Sequence, residues 1–167
     1  MKGQKSLSGK RHKILFICLG NICRSPAANG IMQHLVDERG LADRYEIDSA
    51  GIGSWHIGKL PDHRMREHGR SHGYVFDHHA RQITLSDFDR FDYIIVMDEQ
   101  NYADVVRLRS KSGGKAKVCR MSSFFTSHPQ ASYVPDPYYG SDSDFELAIE
   151  LIEDGCAGLL ERLEREA

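Results

Sequence analysis

The chain has 167 residues, the length of one ordinary domain, and can bury a hydrophobic core without a disulfide or metal staple. Hydrophobic residues make up 40% and charged residues 28%, so the composition excludes an intrinsically disordered protein. The 22 Lys and Arg residues are balanced by 24 Asp and Glu residues, which excludes a protein whose main task is to grip nucleic acid. Four cysteines are too few for a disulfide scaffold.

The N-terminal segment, residues 1–12, is basic and polar. No apolar core or cleavage site follows it, so we expect a disordered tail and not a secretory signal, with the domain proper at 13–167. No apolar run approaches the length of a membrane span. We therefore expect a cytoplasmic monomer with reduced thiols and with neither a membrane nor a nucleic-acid partner.

Strand and helix patterns alternate four times along the chain. In chain order, they predict a strand at 13–18, a helix from 25 to 40, a strand at 45–50, a helix at 61–73, a strand at 92–97, a helix at 98–108, a strand at 116–121 and a final helix opened by a capping box of Ser143 and Glu146. The near-continuous apolar strands predict an α/β single domain, a four-stranded parallel sheet with helices on both faces. Segment 122–141 is predicted to be a long loop, and such loops are usually functional.

The loop after the first strand is the first candidate for a site, because ligands of such folds bind beyond the carboxyl ends of the strands. It reads CLGNICRS and runs into a helix N-terminus, whose free N–H groups and dipole favour anions. Gly20 lets the backbone amides curve into an anion-binding nest, and Arg24 can meet two oxygens of a phosphate. A thiol in that positive environment is expected to be a thiolate, which makes Cys18 a nucleophile. The predicted phosphate-binding residues are Leu19, Gly20, Asn21, Ile22, Cys23, Arg24 and Ser25.

Two simpler explanations of this cysteine pattern are weaker. A buried Cys at a strand end is often only a small hydrophobe, but an Arg-Ser pair at this spacing argues against that role. Zinc would need ligands beyond Cys18 and Cys23, and the histidines with suitable spacing, His63, His68 and His72, lie far along the chain. We expect no metal site and no cofactor.

The motif C-x5-R-S, in the form CLGNICRSP, resembles the low-molecular-weight protein tyrosine phosphatase family. Further segments resemble that family in the same order: DSAG at 48–51, WHIG at 55–58, HARQI at 79–83, MDE at 97–99 and DPYYG at 136–140. The resemblance covers residues 13 to 164. It implies a phosphatase domain with a Rossmann-like fold of the phosphotyrosine phosphatase I type.

The resemblance also implies a reaction, the hydrolysis of protein phosphotyrosine and small aryl phosphates through a phosphocysteine. In it Cys18 is the nucleophile, Arg24 clamps the phosphoryl oxygens, and Asp136 acts as general acid and then as base. The implied supports of the loop are Asn21, Ser25, Ser49 and His78. The implied pocket walls are Ile22, Trp55, Tyr138 and Tyr139.

The second cysteine of the loop, Cys23, suggests redox sensitivity. An activated thiolate oxidises readily, and a second thiol in the same loop can trap it as a disulfide before it is oxidised further. We therefore predict that Cys23 is the redox partner of Cys18.

Three other functions remain open. Thioredoxin-coupled arsenate reductases resemble the chain, but they relay electrons through two further cysteines, and residues 78–98 contain none. Protein arginine phosphatases also resemble it, but they carry Thr at the position of Ile22. We expect Ile22 to narrow the substrate slot and so to favour phosphotyrosine. A non-catalytic phosphopeptide-binding module needs no acid, so Asp136 disfavours it.

Overall fold

The computed structural model describes residues 11–166. The predicted tail lies outside these residues except for Arg11 and His12, and His12 begins the first strand. The strands are β1 (His12–Cys18), β2 (Tyr45–Gly51), β3 (Tyr93–Val96) and β4 (Lys117–Arg120). The α-helices are α1 (Arg24–Glu38), α2 (His63–Ser71), α3 (Asp87–Arg90), α4 (Glu99–Ser112) and α5 (Asp142–Glu166).

The four strands form one parallel sheet in the order β2-β1-β3-β4, which confirms the predicted architecture. β1 lies between β2 and β3, and its residue Ile14 pairs with Ile47 on one side and Tyr93 on the other. Cys18 is the last residue of β1 and pairs with Gly51. The central strand therefore delivers Cys18 to the carboxyl edge of the sheet, where ligands of such folds bind.

Helices cover both faces of the sheet because the side chains of β1 alternate between two cores. Ile14, Phe16 and Cys18 pack with buried residues of α1 and α5. Leu15 and Ile17 point the other way, into a second core with buried residues of α3 and α4. Burial of each large apolar side chain contributes about 1.5–3 kcal/mol, so the strand that carries Cys18 is held rigidly from both sides.

The start of the last helix differs from the prediction. Its capping pair is Ser141 and Asp144, since the Ser141 N–H donates to the Asp144 carboxylate at 2.8 Å. The predicted pair of Ser143 and Glu146 is wrong, because the Glu146 carboxylate contacts His68 of α2 and His72, the residue after α2, instead. A serine followed three residues later by an acidic residue occurs twice here, two positions apart. The contact of Glu146 with the two histidines leaves the first of the two pairs as the cap.

Two other elements differ from the expected boundaries. The helix predicted to end at 108 continues to Ser112, where Gly113 at φ 70 supplies a left-handed C-cap. The loop predicted at 122–141 begins with a 3-10 helix, Met121–Phe124. The short helix α3 had no counterpart in the prediction.

Within residues 11–166, no helix combines the length and the apolar character that crossing a membrane requires.

Candidate active site

The Cys loop, residues 18–25, joins β1 to the first turn of α1. Cys18 is buried, and its Sγ lies 3.0 Å from the Oγ of Ser25. In the described part of the chain, none of the backbone N–H groups of residues 19–24 donates a hydrogen bond to another protein group. Except for the exposed Leu19, these residues are buried or half-buried, where amides need acceptors, so the loop has six N–H donors available for an anion.

A buried network of polar side chains fixes the shape of the Cys loop. The Asn21 side-chain amide donates to the Oγ of Ser25 at 2.7 Å and to the Oγ of Ser49 at 3.0 Å. Its Oδ1 accepts from the backbone N–H of Arg81 at 3.0 Å. Asn21 also adopts the left-handed conformation, with φ 59, which Asn tolerates better than most residues. The sequence favoured Gly20 as the residue with an unusual backbone conformation, whereas in the structure Asn21 is the residue of this loop with a positive φ.

Gly20 lies in close contact with a neighbouring side chain instead. A Cβ at Gly20 would lie 3.0 Å from the Cδ2 atom of His56. A Cβ at Gly51, the end of β2, would lie 2.9 Å from the carbonyl carbon of Gly20. The end of β2 therefore packs directly against the backbone of the Cys loop, which leaves no space for a side chain at Gly51, while a side chain at Gly20 would require His56 to move.

The Arg24 side chain is only 2% exposed and is held from the side of β3. Its Nη1 donates to Asp98 Oδ2 at 2.7 Å and to the carbonyl of Val134 at 2.9 Å. Its Nη2 lies 3.7 Å from Asp136 Oδ2, and its buried Nε has no partner among the described residues. Burial alone would lower the pKa of Arg24, but the charges on Cys18 and the two carboxylates raise it above its ordinary value.

Asp98 is a functional residue that sequence reasoning missed. Besides binding Arg24, it caps α4, because its Oδ1 accepts from the backbone N–H of Asn101 at 2.8 Å. The sequence contained a usable signal: Asp98 comes two residues after the end of β3 at Val96. The carboxyl ends of neighbouring parallel strands meet at one edge, so this carboxylate had to lie near the Cys loop.

A cavity of about 420 Å³ opens above Cys18. Trp55 and Tyr139, which are 65% and 94% exposed, form its rim. His56 also lines it, although the sequence assigned His56 no role. The lining residues are Cys18, Leu19, Gly20, Ile22, Cys23, Arg24, Trp55, His56, Asp136, Tyr138 and Tyr139. The structure thus brings together the residues predicted as nucleophile, clamp, acid and pocket walls, while Asn21, Ser25 and Ser49 lie behind them.

Asp136 reaches the cavity from the acid loop, defined as residues 135–140. Prolines flank it on both sides and restrict the backbone. Its Oδ1 accepts from the backbone N–H of Tyr138 at 3.1 Å, and its carboxylate is 40% exposed. The carboxyl group is therefore accessible to a ligand while its backbone is constrained.

Cys23 also lines the cavity, yet its side chain is only 4% exposed. Burial, together with the charge of Cys18, raises the pKa of Cys23 well above its ordinary value. The raised pKa favours the protonated thiol at Cys23.

His78 lies further from the Cys loop than the other predicted supports. Its Nδ1 is 3.6 Å from Asp48 Oδ1 in β2, and no hydrogen bond joins its side chain to the Cys loop in the described structure. Burial lowers the pKa of His78 despite the neighbouring carboxylate, which favours the neutral ring. The direct bond to Asn21 comes from Arg81 instead.

In residues 11–166, no group of three or more His, Cys, Asp or Glu side chains is arranged to hold a metal ion. Of the histidines considered for zinc, His68 and His72 contact Glu146, at 2.5 and 2.7 Å. These contacts join α2 to α5 and place both rings outside the cavity above Cys18.

A buried thiol, an arginine and an amide-lined loop at a helix N-terminus face a carboxyl group across an aromatic slot, an arrangement suited to binding an oxyanion. The family model for low molecular weight phosphotyrosine protein phosphatase matches residues 13–167. This chain belongs to that family and is a hydrolase, a protein-tyrosine-phosphatase.

Individual relatives agree with that assignment. The low molecular weight phosphotyrosine protein phosphatase of Sus scrofa is 40% identical over 153 residues, which is 90% of this chain and 94% of that protein. A crystal structure of protein tyrosine phosphatase from Entamoeba histolytica matches with a TM-score of 0.86 and 41% identity, covering 93% of this chain and 98% of that one. A crystal structure of Drosophila arginine phosphatase matches with a TM-score of 0.85 and 32% identity, covering 90% of this chain and 97% of that one.

Proposed function

We propose that this enzyme hydrolyses phosphotyrosine through a phosphocysteine formed on Cys18. The observation that carries the proposal is that Cys18, Arg24 and Asp136 line one cavity above a loop whose amides have no protein acceptors. A nucleophile, an oxyanion clamp and a proton donor around one space are the three parts that phosphoryl transfer needs.

The first step transfers the phosphoryl group to the enzyme. The Cys18 thiolate attacks phosphorus, an S–P bond forms and the bond from phosphorus to the phenolic oxygen breaks. Arg24 and the six amides hold the three non-bridging oxygens, and fixed donors of this kind are usually the largest contribution to rate. Asp136 gives its proton to the departing phenolate. The Ser25 hydroxyl, 3.0 Å from Sγ, stabilises the Cys18 thiolate, both before the attack and when the S–P bond breaks in the second step.

The second step returns the enzyme to its starting state. Asp136, now a carboxylate, takes a proton from a water molecule, and the water oxygen attacks phosphorus. A P–O bond forms, the S–P bond breaks, and inorganic phosphate departs while Cys18 is restored as thiolate. One carboxyl group can serve both steps because it lies on the same side of the bound phosphorus in each.

The shape of the cavity supports an aryl phosphate as substrate. Trp55, Tyr138 and Tyr139 present aromatic surface to it, and Ile22 adds an apolar wall. The Ile22 side chain can pack against the ring of phosphotyrosine but accepts no hydrogen bond from the guanidinium N–H groups of phosphoarginine, which favours phosphotyrosine. The likeness to the arginine phosphatase keeps that second substrate worth testing, and Ile22 is the residue on which we expect the choice to depend.

The test uses two variants and one control. We expect Cys18→Ser to abolish turnover of p-nitrophenyl phosphate, and Asp136→Asn to lower kcat/KM for phenyl phosphate by about 10²-fold or more. Asp77→Asn, which changes an exposed aspartate without described partners, should have no effect. Full activity in Cys18→Ser would refute the phosphocysteine, and phosphate binding without turnover in the unaltered protein would indicate a binding module. Comparing a phosphotyrosine peptide with a phosphoarginine peptide decides the substrate.

We also propose that Cys23 protects Cys18 from irreversible oxidation. The two thiols line the same cavity, both are free, and the buried Cys23 is a poor target for oxidants by itself. An oxidised Cys18 sulfenic acid would condense with the Cys23 thiol, forming a disulfide and releasing water. We expect Cys23→Ser to retain activity but to lose recovery by a thiol reductant after mild peroxide. Equal recovery in both proteins would refute this role.

The cellular setting is a further part of the proposal. A catalytic thiol needs a reducing compartment, and the cysteines at 18, 23, 119 and 156 are all free, which supports the cytoplasm. Three exposed apolar residues, Leu19, Trp55 and Tyr139, border the cavity, where a phosphoprotein substrate would cover them. We also propose that the protein is a monomer, which size-exclusion chromatography with light scattering tests.

A further inference from the structure

The acid loop packs on the core through the buried Pro137 and the half-buried Tyr138, but it has few hydrogen bonds to the rest of the described protein. In the described part of the chain, a single hydrogen bond joins residues 135–140 to residues outside them. Its donor is the Nη2 of Arg64, in the first turn of α2, and its acceptor is the backbone carbonyl of Tyr138, at 3.0 Å. Asp136 also forms an ion pair with Arg24, but at 3.7 Å the two groups are too far apart for a hydrogen bond.

Arg64 is itself held in place by the N-cap residue of α2. Its Nε and Nη2 donate to the two carboxylate oxygens of Asp62 at 3.1 and 3.0 Å, and its backbone N–H donates to the same group at 2.9 Å. Burial opposes ionisation of Asp62, but these donors lower its pKa below the ordinary value, so the pair stays charged. The guanidinium also stacks on the buried ring of Phe145, 4.7 Å from its centroid.

The same helix end is tied to the Cys loop. The backbone N–H of Asp62 donates to the carbonyl of Ile22 at 2.7 Å. On the other side, the Arg64 guanidinium lies 5.6 Å from the Tyr138 ring centroid, and the Tyr138 N–H donates to Asp136. A continuous path of contacts therefore runs from the Cys loop through the start of α2 to the carboxyl group of Asp136.

We infer that Arg64 is a positioning residue that holds the acid loop over Cys18, so that Asp136 meets the leaving oxygen. Arg64 does not line the cavity, and it acts only through Tyr138 and Asp136. The inference rests on the proposed role of Asp136 as general acid. Bidentate binding of Asp62 with a third bond to Tyr138 uses the planar fork of arginine, which a lysine cannot reproduce.

The dependence of kcat/KM on the leaving group separates a role in proton transfer from a purely structural role, which would change kcat/KM equally for all leaving groups. Phenol, with a pKa of about 10, needs a proton on departure, whereas p-nitrophenol is far more acidic and departs readily without one. We expect Arg64→Met to lower kcat/KM about tenfold for phenyl phosphate and less than about twofold for p-nitrophenyl phosphate. Arg64→Lys should show the same selectivity with a smaller loss. Arg70→Met, an exposed arginine of the same helix without described side-chain partners, should match the unaltered enzyme on both substrates.

A double variant shows whether Arg64 acts through Asp136. In the Asp136→Asn background, Arg64→Met should cause less than about a twofold further loss for phenyl phosphate, because the two residues serve one function. Competitive inhibition by inorganic phosphate should be unchanged in Arg64→Met, since the Cys loop stays intact.

The outcomes separate this inference from the proposed function. Equal losses for the two substrates, no loss, a full additive loss in the double variant or weaker phosphate inhibition would each overturn the role of Arg64. If Asp136→Asn itself leaves the phenyl phosphate rate unchanged, the general-acid proposal fails and the inference fails with it. If Arg64→Met does not fold, the leaving-group selectivity of Arg64→Lys decides.

Discussion

Replacement of Asp98 by asparagine tests whether the position of the buried Arg24 side chain depends on its ion pair with Asp98. The variant keeps an oxygen to cap α4 but removes the charge that lies 2.7 Å from Arg24 Nη1. At an effective dielectric constant of about 20, two unit charges at that distance attract by about 6 kcal/mol, much of which offsets their desolvation. Breaking a buried ion pair costs about 3–5 kcal/mol, and because Asp98 is 25% exposed we expect about 3 kcal/mol.

Urea unfolding followed by circular dichroism measures that loss, and kcat/KM for p-nitrophenyl phosphate measures its effect on the site. An Arg24 released from Asp98 should misplace the phosphoryl oxygens, so we expect kcat/KM to fall about tenfold to 10²-fold. Glu99→Gln is the matched control, since it removes an exposed charge paired with Arg120 and should change stability by less than about 1 kcal/mol. An Asp98→Asn enzyme as stable and as active as the Glu99→Gln enzyme would refute the reasoning.

Three further predictions follow from buried or paired groups. Although burial opposes its ionisation, Asp154 has a pKa of about 2 because backbone donors of residues 126–128 bind it. Asp154→Asn should therefore lose about 2 kcal/mol in urea unfolding at pH 7, a difference that shrinks as pH falls below about 4; a constant difference would contradict this. The hydrogen bond to Glu146 raises the pKa of His68. The contribution of protonated His68 to the free energy of unfolding is therefore complete below about pH 6.5 and is lost as pH rises through the raised pKa. The melting temperatures of His68→Gln and the unaltered enzyme should thus differ at pH 6 and converge at pH 9. Asn21→Gly keeps the positive φ but loses three hydrogen bonds, so we expect about a 10²-fold loss of kcat/KM, and full activity would show that only the backbone matters.

The sheet and the Cys loop could be predicted because their signals are local. The apolar run of β1 is buried on both faces, and its end is marked by a change to small and polar residues that begin a helix. The topology of a parallel sheet then predicts a functional site at the carboxyl end of this strand. Asp136 lies far from Cys18 in the chain, and its place over the cavity followed only from the family resemblance, which no local pattern could supply.

The tertiary contacts of the site could not be predicted in the same way. Nothing in the sequence says that Arg64 contacts a backbone carbonyl of the acid loop, because the contact joins α2 to a loop 74 positions away. Asn21 adopts the left-handed conformation while three hydrogen-bond partners, Ser25, Ser49 and Arg81, hold its side chain, whereas residue type alone favoured Gly20. The capping pair of α5 was misassigned because His68 and His72 bind Glu146. Each of these residues is placed by partners distant in sequence.

Trapping of the phosphoenzyme tests the central claim most directly. In Asp136→Asn, p-nitrophenyl phosphate still loses its weakly basic phenolate, but water attack on the phosphocysteine lacks its base, so the intermediate should accumulate. Rapid acid quench followed by peptide mass spectrometry should find one phosphoryl group on the peptide that contains Cys18. A phosphoryl group on any other residue, or none while phenolate is released, would contradict the account.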